Sequence, residues 1–215
     1  MGSKNLKAIA VRGHKEPEVA EPERLKELRQ WVLTQGELRP PPYNDLDTWA
    51  ATTIKDGTAT GNIPIRNFQD GEFPEISKIS AKAGRDTIRI KMETCYACSF
   101  RCKKTVVKVD EPYSVDPAYG APEYETLAMI GCNCGVSDLK AIAKGNELCN
   151  AYSLDTISTG GVIAFAMECF ENGLLTTKDT DGIELRFDNA EAMLKIIELI
   201  ARREGIGNLL AEGTA

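Results

Sequence analysis

Apolar residues recur with a helical period over much of this chain. Pro22 to Gln35 carries Leu25, Leu28 and Val32 on one stripe, with Pro22 suited to a first turn and Gly36 as a stop. From Glu123 onward the pattern is helical almost throughout. Ser137 is placed to cap a helix through Asn150, with Leu139, Ile142, Ala143 and Asn146 on one face. Thr159 to Asn172 is apolar nearly all round (VIAFAMECF), the pattern of a fully buried helix. Asn189 caps a third helix with Met193, Leu194, Ile197 and Ile200 inward and Gly205 as its stop. The last residues, 207–215, continue in a helical pattern.

Alternation with a period of two is confined to short runs. Ile88–Met92 (IRIKM) and Thr105–Val109 (TVVKV) flank a cysteine-rich stretch and predict a small β-hairpin around it. Leu6–Val11 (LKAIAV) reads as a short strand with no partner strand nearby, the remnant of a larger sheet. Residues 36–81 are rich in Pro, Gly, Asn and Asp and read as loops with short turns of helix. The expected class is therefore mainly α: a multihelical domain with a short N-terminal strand remnant and one hairpin near the cysteines.

Composition narrows the functions. The 215 residues are 42% hydrophobic, enough for one large domain or two small ones with a real core. A net charge of −6 argues against a nucleic-acid surface. No apolar run reaches the roughly eighteen residues of a membrane span. The N-terminus lacks the apolar region of a secretory signal. Seven cysteines, clustered and odd in number, read as reduced thiols of a cytoplasmic protein. His14 is the sole histidine, which disfavours histidine-based triads and multi-histidine metal sites.

Three features carry candidate chemistry. Cys95, Cys98 and Cys102 follow C-x2-C-x3-C, a spacing whose thiolates can grip an iron–sulfur cluster. A 4Fe–4S cube wants a fourth ligand. The other readings of the triplet are buried free thiols, or half of a zinc site that Cys132 and Cys134 could complete. Arg101, Lys103 and Lys104 crowd the third cysteine. They are either cations that raise a cluster's potential or ordinary solvated charge. The second feature runs from Asn150 to Gly161 (NAYSLDTISTGG). Asp155 with its Thr, Ser and Gly neighbours can present oxygens and N–H groups to a polar ligand, or Asp155 can be a simple N-cap. The third is Pro122–Thr126 (PEYET). Its glutamates are first-turn acids, or one is a general acid or base.

Taken together these stretches resemble the tungsten- or molybdenum-dependent aldehyde:ferredoxin oxidoreductase family. The resemblance runs through MGSKNLKAIAVRG (1–13), CYACSFRC (95–102), APEYETLAMIG (121–131), the long block 138–175, and REGIGNLLAEG (203–213). It implies oxidation of aldehydes to carboxylic acids, with electrons passed to ferredoxin through a 4Fe–4S cluster beside a tungsten- or molybdenum-bis-pyranopterin. It implies cluster ligation by Cys95, Cys98 and Cys102. It also implies pterin contacts from Asn150, Leu154 and Asp155, which stand where the family has D-x-x-G-L-D. Here Asn150 replaces the first acid and Ser153 the glycine. Glu125, with Glu123 second, corresponds to the glutamate proposed to move a proton near the metal.

The resemblance further implies a division of the chain. Residues 1–13 would end a β-rich pterin-binding domain, and 14–215 would form the helical middle domain. The fourth cluster cysteine and a second pterin motif would lie beyond residue 215, making the chain a fragment with little activity alone. A homo-oligomer is compatible with this reading. The alternative is an iron–sulfur electron-transfer or metal-binding module without catalysis, with Cys132 or Cys134 as fourth ligand.

Overall fold

A computed structural model describes residues 4–6, 8–34, 60–88, 90–93, 95–96, 103–106, 109 and 111–214. The chain divides into two compact units, Met1–Arg39 and Pro40–Ala215. The described residues are mainly helical.

The first unit contains α1, Pro22–Thr34, and none of its residues is buried. Leu25, Leu28 and Trp31 are exposed. The described residues of 6–11 form no strand, and Ile9 and Val11 face solvent. This corrects the expected N-terminal strand. A strand persists only when a neighbour takes its N–H and C=O groups.

The described residues of the second unit include a 3-10 turn, Pro74–Ile79, and α2, Ala81–Thr87, capped by Ser80. Strands β1 (Ile90–Glu93) and β2 (Lys103–Val106) pair antiparallel, with Ile90 opposite Val106 and Glu93 opposite Lys103. The cysteine run lies in the segment joining them. The chain then crosses to α3, Tyr124–Thr126, which widens into a π-helical turn over Leu127–Gly131 and tightens into a 3-10 turn over Cys132–Cys134. Single π turns occur often where a helix must present a functional side chain.

The core is built by α4 (Leu139–Tyr152), α5 (Thr156–Glu171) and α6 (Ala190–Arg202), with the short α7 (Ile206–Leu210) closing on α6. Ile130, Ile142, Ile163, Met167, Met193 and Ile196 are fully buried at their junction. All four predicted inward residues of α4 and of α6 are buried.

Three local expectations need correction. Asp138, not Ser137, caps α4, because its carboxylate reaches the N–H groups of Lys140 and Ala141. The α6 helix ends before Gly205, at Arg203, whose left-handed backbone returns N–H bonds to the last carbonyls. Gly205 instead opens α7, and Asp181 accepts the Ile206 N–H at 2.8 Å. Finally, α5 is not buried all round, since Ile157 and Phe165 are both 44% exposed. Only one broad face of α5 meets the core, and its N-terminal turn borders the cavity described next.

Candidate functional site

A cavity of about 490 Å³ opens where β2, residues 119–126, the end of α4 and the start of α5 converge. Glu123, Glu125, Asn150, Leu154 and Asp155 all line it. Five candidate residues spread over more than thirty positions of sequence are thus brought to one site.

Local structure explains each position. Cavity-lining Asn150 falls in the last turn of α4, and its Nδ2 donates to Asn146 O at 2.8 Å and to Asn146 Oδ1 at 3.3 Å. Asn146 is buried and donates in turn to Tyr119 O at 3.4 Å. The amide of Asn150 is therefore oriented with its donor spent on α4, so its oxygen is the group offered to a ligand. Ser153 ends α4 with φ 59° and ψ 37°, and the Leu154 N–H turns back to Cys149 O at 2.8 Å. This tight reversal sets Leu154 and Asp155 on the cavity wall.

A β-carbon in the left-handed region costs about 1–2 kcal/mol. Ser153→Gly is therefore expected to raise stability by about 1 kcal/mol. Chemical denaturation would show this, and an unchanged or lower midpoint would count against it.

Asp155 is the N-cap of α5 and accepts the Ser158 N–H at 2.7 Å. Hydrogen bonds from Ser158 and Ile157 hold its carboxyl below the usual range. A depressed folded pKa contributes stability that is complete above the unfolded value and lost as pH falls through the folded one. Asn is also a good cap but does not titrate. Asp155→Asn should therefore keep neutral-pH stability and flatten the acid limb, which melting curves between about pH 2 and 6 would reveal. Helix α5 thus starts at Thr156, which corrects the picture of Gly160 and Gly161 at a helix N-terminus. Both lie a turn inside the helix, and Gly160 packs against the Met129 backbone.

The glutamates part company. Glu123 precedes α3 and forms an ion pair with Lys104, whose side chain is buried. Glu125 lies in the first turn of α3, exposed at the cavity. Among the described residues its carboxylate has no hydrogen-bond or ion-pair partner. Thr126, one residue on and buried, shares a 3.0 Å hydrogen bond with Thr156. That bond ties the end of α3 to the start of α5 and holds Glu125 on the same wall as Asp155. The sequence reading missed Lys104 as a buried group, along with the Thr126–Thr156 bond, and it placed Asn146 inward without its hold on Asn150. A hydroxyl residue in each of two motifs was the only hint of the Thr126–Thr156 bond.

Of the three triplet cysteines, Cys95 is exposed just beyond β1, and Cys98 and Cys102 lie outside the described residues. No group of three or more metal-ligating side chains occurs among the described residues. Cys132 and Cys134 are fully buried. Burial pushes the Cys132 thiol up to about 12 and raises Cys134 as well. Cys134 Sγ lies 3.4 Å from Met129 O and 3.6 Å from Gly160 O and donates to backbone.

A family model described as aldehyde ferredoxin oxidoreductase, domains 2 and 3, matches residues 25–215. The chain belongs to this family. It is 38% identical, over 99% of its length, to the tungsten-containing aldehyde ferredoxin oxidoreductase of Pyrococcus horikoshii, and covers 35% of that protein. It is 33% identical over its whole length to an aliphatic sulfonate oxidoreductase, WOR-like subunit, of Pyrococcus furiosus, covering 34% of it. Among solved structures, the BamBC active-site complex of benzoyl-coenzyme A reductase with 1,5-dienoyl-CoA superposes with a TM-score of 0.70 at 26% identity. That match covers 99% of this chain and 33% of the other. The chain therefore spans about a third of the length of the relatives it matches. Within the family, shared sequence accompanies differently named substrates. No helix among the described residues is long and apolar enough to cross a membrane.

Proposed function

We propose that this chain forms the helical middle part, residues 14–215, of an oxidoreductase that converts aldehydes to carboxylic acids and delivers the electrons to ferredoxin in the cytoplasm. Residues 1–13 would join it to a β-rich domain that covers the cofactor. The observation that carries this reading is the meeting of Glu125, Asn150, Leu154 and Asp155 at one cavity within a chain of this family.

The donor set fits a bis-pyranopterin carrying tungsten or molybdenum. A pterin edge presents N–H donors, and the oriented Asn150 oxygen and the ionised Asp155 are acceptors on one wall. Asn150 supplies that contact without the charge of the acid it replaces. Cys95, Cys98 and Cys102 suit a 4Fe–4S cluster, because three thiols within eight residues match such ligation. When bound, the metal–pterin group supplies the two-electron exchange with the aldehyde, and the cluster carries electrons outward one at a time.

The chain's own residues supply positioning and proton handling. Asn150 and Asp155 orient the pterin edge, and Leu154 gives it an apolar face. Glu125 is the group placed to accept and return a proton, since Glu123 is already engaged with Lys104. The Thr126–Thr156 bond keeps Glu125 and the pterin contacts in register.

Elemental analysis of the anaerobically purified holoprotein tests this reading. Iron together with tungsten or molybdenum, and release of pterin on denaturation, are expected. A preparation containing zinc alone would overturn it.

A further inference from the structure

Asn146 is buried, at 4% exposure, one helical turn before Asn150 on α4. A polar side chain withdrawn from water must find partners or it destabilises the core. The two ends of the Asn146 amide find different ones. Its Nδ2 donates to Tyr119 O at 3.4 Å, and its Oδ1 accepts from Asn150 Nδ2 at 3.3 Å. Asn150 Nδ2 also donates to the backbone oxygen of Asn146, at 2.8 Å. Tyr119, Asn146 and Asn150 all line the cavity.

These bonds run in one direction only. The Tyr119 carbonyl can accept but not donate, so the nitrogen end of Asn146 must face it. The Asn146 Oδ1 is thereby turned toward Asn150 and calls for a donor. The Asn146 backbone oxygen calls for one as well, and the Asn150 amide has two N–H groups to give. With both given to residue 146, only the Asn150 oxygen remains for the cavity. Turning either amide over would set oxygen against oxygen. The backbone bond alone is a single anchor about which the Asn150 amide could swing. The Asn146 side chain adds the second anchor, and the Tyr119 carbonyl sets its sense.

We propose that Asn146 is a positioning residue that fixes the Asn150 amide so that its oxygen, and not an N–H, meets the donor edge of the pterin. This deepens the pterin reading made above and rests on it. A donor edge gains from an acceptor and loses if a second donor is turned toward it. A carboxylate at position 150 would need no such help, because both of its oxygens accept. The task of Asn146 therefore follows from the amide that stands at position 150 of this chain.

Release of pterin from the anaerobic holoprotein in mild urea, followed by pterin fluorescence, tests this. Asn146→Leu is expected to speed release by roughly tenfold, the upper end of what one hydrogen bond contributes. In an Asn150→Asp background the same substitution should change release by less than about twofold, since the two sites are then no longer coupled through an amide. Loss of packing alone would speed release equally in both backgrounds. Equal acceleration in the two, or none in the parent background, overturns the proposal. Should Asn146→Leu fail to fold, Asn146→Ala makes the same comparison with the same deciding outcomes. Absence of pterin from the parent protein would instead overturn the pterin reading, and parent-like release from Asn150→Leu would overturn the Asn150 contact. Either result removes the proposal with it.

Discussion

Glu125→Gln is expected to lower turnover of the holoprotein by roughly 10²–10⁴-fold, the usual worth of a positioned general acid or base. Iron and tungsten or molybdenum content should stay at parent levels, because Glu125 holds no structural bond among the described residues. Gln keeps the shape and hydrogen-bonding reach of the side chain but cannot take the proton. The comparison with Glu123 is informative. Glu123→Gln breaks the ion pair with the buried Lys104, so its effect should fall on stability more than on turnover. Steady-state rates with an aldehyde and a ferredoxin or viologen acceptor would check both variants. Retention of turnover within about threefold of the parent in Glu125→Gln would remove it from the proton-transfer role.

Gly160→Ala is expected to destabilise the helical unit by about 3 kcal/mol or more, the upper part of the range for overpacking a core. A β-carbon at Gly160 would lie 2.6 Å from both the carbonyl carbon and the oxygen of Met129. Those are backbone atoms of the π-helical turn, so they cannot rotate aside as a side chain would. Either α5 or the turn must move, and the turn carries Glu125 at its head. The neighbouring Gly161→Ala is the control. Its β-carbon would meet only the Met129 Cε, at an ordinary 3.5 Å, and Ala is favoured over Gly inside a helix by about 1 kcal/mol. Equal midpoints for the two variants in urea unfolding would show that the close approach at Gly160 is not what holds α5 to the turn.

Much of the fold was legible in one dimension. The inward residues of α4 and α6 follow from a period near 3.6, because an amphipathic helix must bury its apolar stripe. Asn189 was readable as a cap because its side chain acts within one turn. The errors lie where neighbours in space decide. Ser137 and Asp138 are adjacent potential caps, and only the path of the entering chain selects Asp138. Gly205 looked like a stop for α6, but the chain turned two residues earlier so that α7 could pack against the end of α6. The apolar run of α5 suggested burial on every side, whereas Ile157 and Phe165 stay exposed. Hydrophobicity records what a residue tolerates, and the placement of other elements decides which face is covered.

By itself the sequence determined the candidate chemistry. It supplied the cysteine spacing, the PEYET glutamates, the N-x-x-S-L-D variant of the pterin motif, and a family resemblance across the chain. It determined the long helices as well, since their periodicity is local. Only the tertiary structure decided that Glu123, Glu125, Asn150, Leu154 and Asp155 share one cavity. It alone separated the two glutamates, by burying Lys104 beside one of them. It also placed Cys132 and Cys134 in the core. The reason is the same in each case. Charge pairing, desolvation and convergence depend on distances between segments far apart in sequence, and no local pattern encodes those distances.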